Sequence, residues 1–291
     1  MTRLALKLLT VGAVLAITLC FVDPAVVLAH LRAADWRWLL AAGLAVNLQT
    51  VLSALRWQVT AQALGQRIGT TEAIGEYYLA QLMNQTLPGG VLGDAGRAMR
   101  ARHSADLLRS GQAVVIERLA GQLALAAVVL AALVLTGRWL WAVGLMGGAS
   151  VLWLVARNWE RLARLLAPLR RALLGRDVRL RQIALGLSIV LCNLLAFAFA
   201  ARAIGTQLPA GAIVTLVPLI LSAMVIPLSI AGWGWREGAA AALFPLAGAT
   251  PEAGLAAATA FGAVLIASAL PGLGWVVLRR APATQPPSKA K

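Results

Sequence analysis

Long apolar runs with almost no charge alternate along this chain with short connections that hold most of its arginines. A transmembrane helix needs about 20 mainly apolar residues, and windows of that kind recur at Leu4–Val22, Trp38–Leu55, Leu119–Thr136, Leu140–Ala156, Ile183–Ala201, Ala212–Trp235 and Gly254–Leu278. The pattern predicts an all-α polytopic membrane protein. Two of its apolar stretches are interrupted. Tyr77–Leu92 is broken at Pro88-Gly89-Gly90, and Ala212–Trp235 is broken near Pro227 and followed by a ten-residue apolar piece, Gly238–Ala247.

Composition agrees with the pattern: the 291 residues are 60% hydrophobic and 13% charged, about half the charge of an ordinary soluble domain. The 26 Lys and Arg against 11 Asp and Glu leave a net charge of +15. Their location assigns them to topology rather than to nucleic acid. Eight arginines (Arg157, Arg161, Arg164, Arg170, Arg171, Arg176, Arg179 and Arg181) share one connection between apolar windows, as the positive-inside rule expects of a cytoplasmic loop. No soluble module is present to offer a basic face to nucleic acid. Arg3 and Lys7 at the start of the first window read as the flank of a retained first helix rather than a cleaved signal peptide, because the apolar run is long and lacks a small-x-small site.

Followed from a cytoplasmic N-terminus, the basic flanks send the first helix out and the second back by Arg56. Leu119–Thr136 then goes out, Leu140–Ala156 in, Ile183–Ala201 out, and the last helix returns to Arg279-Arg280. Both interrupted stretches then begin and end on the same side, so each reads as a re-entrant hairpin. A full span at Ala212–Trp235 is the alternative; it leaves Gly238–Ala247 too short to return and forces the basic C-terminus outside. The expected fold is six spanning helices plus two oppositely oriented re-entrant helical hairpins, arranged as an inverted repeat. A single membrane domain over 1–280, with half-repeats of about 1–137 and 138–280, would precede a disordered cytoplasmic tail at 281–291.

Broken helices at membrane depth mark sites, because free backbone groups there must face protein or a water-filled cavity. In LPGGVLGDAGRAMR, Gly93 and Arg97 follow Pro88 by five and nine positions; in IPLSIAGWGWREGA, Gly232 and Arg236 follow Pro227 by the same steps. Proline ends a helix and glycine permits a tight reversal. A new half-helix can then start with Asp94 as its N-cap, and its amides together with an arginine suit a phosphate. Glu117-Arg118 either lies inside the next spanning helix, with Asp94, Arg97, Arg236 and Glu237 as candidate partners, or sits in the headgroup region with the helix starting at Leu119. Trp36, Trp38, Trp57, Trp139, Trp141, Trp153 and Trp159 read as an interfacial belt, and Asn47, Gln49 and Asn193 as interhelical glue. Cys20 and Cys192 read as packing residues. Neither they nor His30 and His103 form a metal or redox pattern, so no cofactor or metal is expected.

The two interrupted segments, with ERLAG at Glu117–Gly121 between them, resemble the flippase-like membrane domain of lysylphosphatidylglycerol synthases over nearly the whole chain. The resemblance implies a stand-alone lipid-translocating domain of the bacterial inner membrane, and the basic flanks put both termini in the cytoplasm. The expected activity is flipping of an anionic lipid or lipid-linked headgroup by alternating access. Position by position it carries over Pro88, Gly89, Gly90, Gly93, Asp94, Arg97, Glu117, Arg118, Pro227, Ser229, Gly232, Gly234, Arg236 and Glu237 as substrate-binding residues. At Trp233 and Trp235 the chain departs from the family with bulkier side chains. No aminoacyl-transferase part is expected, so the chain is not read as an enzyme. Membrane lipids are the expected partners, with a homo-oligomer or a lipid-modifying enzyme as further ones. The competing readings are a membrane-embedded enzyme using Asp94 or Glu117 as base on a lipid phosphate or glycosyl carrier, and a scaffold for a lipid-modifying partner.

Overall fold

The computed structural model describes residues 23–87, 91–104, 106–135, 137, 146, 160–225 and 232–280, and among these the regular structure is helical throughout. The helices are α1 (Pro24–Arg32), α2 (Trp36–Ala63), α3 (Thr70–Thr86), α4 (Leu92–Arg100), α5 (Leu107–Leu135), α6 (Glu160–Leu174), α7 (Arg179–Ala203), α8 (Ala210–Ser222), α9 (Trp235–Leu243), α10 (Pro251–Ala269) and α11 (Pro271–Arg280). The expected first helix at Leu4–Val22, the window Leu140–Ala156 apart from Met146, and the tail lie outside the described residues.

Four stretches are long and apolar enough to cross a membrane: Trp36–Ala63, Leu107–Leu135, Arg179–Ala203 and Pro251–Val277. Each contains or nearly contains one of the expected windows. The 28 residues of α2 span about 42 Å at the helical rise, more than a hydrocarbon core of about 30 Å. Two helix ends differ from the sequence reading. Arg56 does not end the second helix, which runs on to Ala63, because Arg56 is buried and ion-paired with a carboxylate on another helix. Nor does α5 begin at Leu119; it begins at Leu107, which places Glu117-Arg118 well inside it.

The two halves repeat one order of elements. α2 ends in a glycine turn in which Gly65 N donates to Gln62 O at 2.9 Å and Gln66 N to Ala61 O at 2.9 Å; α7 ends with Gly205 N on Arg202 O at 3.0 Å and Thr206 N on Ala201 O at 3.0 Å. Gly65 (φ 82°) and Gly205 (φ 86°) are left-handed there, the conformation that glycine closes a helix with at least cost. Each turn leads into a shorter helix, α3 or α8, then an interruption, a nine-residue helix, α4 or α9, a four-residue 3₁₀ turn, and a long helix, α5 or α10. The window Ala212–Trp235 is therefore not one continuous helix.

α10 sits at the centre, with 67% of its apolar window buried, whereas α5 lies on the flank with 17%. Small residues make the central packing close: Ala196, Ala200, Ala201, Ala256, Ala257 and Ala258 are fully covered, as expected where van der Waals fit, not water exclusion, joins helices. Phe197 fills the remaining space against Phe261 at 5.3 Å and Phe244 at 6.3 Å. Cys192 is buried among these helices, in the packing role expected of it. Asn47 joins helices as expected, accepting from the Tyr78 hydroxyl at 2.8 Å. Gln49 instead donates within its own helix to Ser53.

Candidate substrate site

Charges gather where α4 meets α5, and the local sequence explains how. Gly93 lets α4 approach α3 closely, since a Cβ there would stand 2.0 Å from the Ala80 carbonyl oxygen. Its amide donates to Asn84 Oδ1 at 2.8 Å, and Asn84 Nδ2 donates to Asp94 Oδ2 at 3.2 Å. α4 is thus clamped to α3 with its first-turn acid, Asp94, turned towards α5. Asp94 is not the N-cap expected of it: Val91 occupies that position and makes no side-chain cap. It serves as an ion-pair partner, accepting from Arg97 Nη2 at 3.0 Å and Arg118 Nη2 at 2.6 Å.

Glu117 is the hub. Fully buried, it accepts from Arg56 Nη2 at 2.7 Å and Tyr77 Oη at 3.3 Å through one oxygen, and from Arg97 Nη2 at 3.2 Å through the other. The Arg97 guanidinium lies between the Trp57 ring at 4.5 Å and the Tyr77 ring at 4.4 Å, an arrangement suited to its planar, weakly hydrated cation. Three arginines face two carboxylates, so the cluster carries one uncompensated positive charge. Arg56 and Arg97 each keep Nε and Nη1 buried without a hydrogen-bond partner among the described residues, and buried donors of this kind are costly unless something accepts from them. Arg118 opens the cluster to its surroundings, with a side chain 49% exposed beside Asp94 at 9%.

A neighbouring knot fixes the other side of α3. Glu76 accepts from Arg100 Nε at 2.5 Å and from the indole of Trp275 at 3.3 Å. The Trp275 ring lies over Gly75, where a Cβ would fall 2.1 Å from it. α11 is therefore latched to α3 and, through Arg100, to α4.

In the second half, Arg236 and Glu237 pair with each other, Glu237 also accepting from Gly234 N at 2.7 Å. Arg236 lies 5.0 Å from the Trp233 ring and is accommodated by Gly262, where a Cβ would meet its Nη2 at 2.4 Å. One of its amino groups, Nη1, is also buried without a hydrogen-bond partner among the described residues. Of the expected partners of Glu117-Arg118, Asp94 and Arg97 are in contact with them, while Arg236 and Glu237 form a separate centre. Gly93 is inside α4 whereas Gly232 and Gly234 precede α9, so the equal spacing in the two motifs does not correspond to equal helical positions. Pro88, Gly89, Gly90, Pro227 and Ser229 lie outside the described residues, as do Cys20, Trp139, Trp141, Trp153 and Trp159.

Arg56, Trp57, Tyr77, Asn84, Glu76 and Arg100 belong to these networks and were not anticipated from sequence. Trp57 does not stand in the interfacial belt expected of it; it is 1% exposed and stacked on Arg97, the Arg97 guanidinium offering its ring a buried cation to pack against. The signal for Arg56 was a charge one residue past an apolar window with no turn residue following.

A family model described as the lysylphosphatidylglycerol synthase TM region matches residues 4–272. No curated protein matches the chain.

Proposed function

The chain belongs to the lysylphosphatidylglycerol synthase TM region family, and from that membership and the buried cluster we propose that it translocates a phosphate-bearing lipid headgroup across the bacterial cytoplasmic membrane. The observation that carries the reading is the cluster's charge: Arg56, Arg97 and Arg118 against Asp94 and Glu117, with guanidinium donors to spare. Ionised groups inside a membrane protein are expensive and concentrate on substrate paths. A phosphate oxygen entering beside Arg118 would compete with Asp94 for that guanidinium, by charge-assisted hydrogen bonds that arginine makes bidentately. The lipid's chains would remain in the bilayer beside the apolar outer face of α5, where Val115, Leu119 and Leu123 are exposed.

In this reading the two interrupted segments are re-entrant hairpins entering from opposite sides, the six spans include the two outside the described residues, and both termini are cytoplasmic. The repeated order of α2–α5 and α7–α10 supports an inverted repeat rocking about the polar centres. We read the chain as a transporter rather than an enzyme or scaffold, since Asp94 and Glu117 are committed to arginines and neither is poised as a base. Reconstitution into liposomes with headgroup-labelled anionic phospholipid tests this by the rate at which label becomes accessible in each leaflet. Wild-type protein should accelerate exchange over empty vesicles and Arg118→Ala should abolish the gain. A chemically altered lipid with no exchange would replace transport by catalysis.

A further inference from the structure

A groove of about 540 Å³ lies away from the buried cluster, where the end of α2, the start of α5 and the middle of α6 meet. Arg109 and Arg171 line it with Gln112, against walls formed by Leu64, Gly65 and Pro168. Among the described residues no carboxylate lines this groove. Asp106 touches Arg109 from the side at 3.5 Å, both side chains being about 60% exposed, a pairing that holds little in solvent. Its other oxygen is occupied in capping α5 through the Arg109 amide at 2.7 Å. From 170 to 181 the chain carries five arginines and one acid, Asp177, and Arg171, which lines the groove, is one of the five.

We propose that this groove holds the phosphodiester of an anionic phospholipid as a resident site separate from the translocation centre. Two guanidinium groups and an amide supply the convergent donors that a phosphate needs. The apolar wall of Leu64 and Pro168 accommodates the glycerol and the first methylenes, which a free phosphate would not use. Helix geometry keeps the two sites apart. Arg109 and Arg118 are nine residues apart, which puts them about 180° apart around α5. Leu64 is eight residues along α2 from Arg56, about 12 Å by the helical rise. The end of α6 is fastened beneath the groove, since Gln182 donates to both Ala172 O at 3.1 Å and Thr60 Oγ1 at 2.9 Å, so a lipid here would bind α6 to the spanning helices.

The test is lipid retention by the purified full chain, measured by native mass spectrometry during titration with phosphatidylglycerol, phosphatidylcholine or inorganic phosphate. Wild type should retain phosphatidylglycerol over phosphatidylcholine, and R109A/R171A should bind it about a hundredfold more weakly, about tenfold for each lost charge-assisted contact. Arg171→Ala alone, at an exposed position that leaves folding intact, should show part of the loss. Arg118→Ala should keep this binding while losing transport, which separates the groove from the proposed function. Undiminished phosphatidylglycerol retention in R109A/R171A overturns the site. Displacement of the lipid by an equal concentration of inorganic phosphate overturns the lipid as its occupant.

Discussion

Replacing Glu117 with glutamine removes one charge and almost no volume, and the structure says what that should cost. Glu117 is fully buried and is the acceptor for Arg56, Arg97 and Tyr77. Without its carboxylate the cluster holds three arginines against Asp94 alone, and Arg56 loses its only ion-pair partner among the described residues. Removing one member of a buried pair costs about 3–5 kcal/mol, mostly for the charge left behind. Removing Arg56 as well, in R56Q/E117Q, restores the original net charge and lets two amides face each other. The double variant should therefore be about 2 kcal/mol more stable than the sum of the single losses, within the range seen for groups in one network. Denaturant titration in mixed micelles, followed by circular dichroism for all four proteins, measures this coupling. Strict additivity, or an E117Q protein as stable as wild type, would refute the placement of Glu117 as hub.

Other outcomes follow from single positions. Arg97→Lys keeps the charge but not the planar cation held between Trp57 and Tyr77; it should lose about 1–2 kcal/mol in the same titration and slow lipid exchange in vesicles. Gly93→Ala drives a methyl towards the Ala80 carbonyl and should destabilise by about 1–3 kcal/mol, whereas Gly111→Ala, with nothing within 4 Å of the added carbon, should stabilise α5 by about 0.5–1 kcal/mol. Gly65→Ala and Gly205→Ala meet no neighbour but must hold a left-handed backbone, so each should cost about 1–2 kcal/mol; a clear difference between them would argue against equivalent turns in the two halves.

How much of this was legible in sequence depended on whether the signal was local. Apolar windows located all four long helices, because hydropathy over a span is a sum that needs no knowledge of neighbours. The interruptions near Pro88 and Pro227 were legible for the same reason, from proline and glycine alone. Asp94, Arg97, Glu117 and Arg118 were found because they are charges in the wrong place. Arg56 was not, since an arginine after an apolar run looks the same whether it ends a helix at the headgroups or turns inward to a carboxylate 61 positions away. Trp57 failed likewise: an indole at a window's end suits the interface, and only the position of Arg97 makes it a stacking partner. The Glu76–Arg100–Trp275 knot joins residues up to 199 positions apart, and no spacing rule reaches that far.

Most of the central packing of this protein is made by uncharged side chains. The centre around α10 is built mainly of alanines and three phenylalanines, as small-residue interfaces in membranes are, and Arg236–Glu237 is the ion pair beside it among the described residues. Five ionised side chains between α2, α4 and α5 add desolvation cost that apolar residues of similar volume would avoid, often with a gain in stability. They are also placed asymmetrically: Glu117 and Arg97 are sealed, while Arg118 reaches the exposed side through Asp94. A cluster meant only to hold helices together would have no use for an open end or for an excess cation. Both features have a use if a phosphate enters at Arg118, completes the charge balance and leaves again, which is what translocation asks of a site.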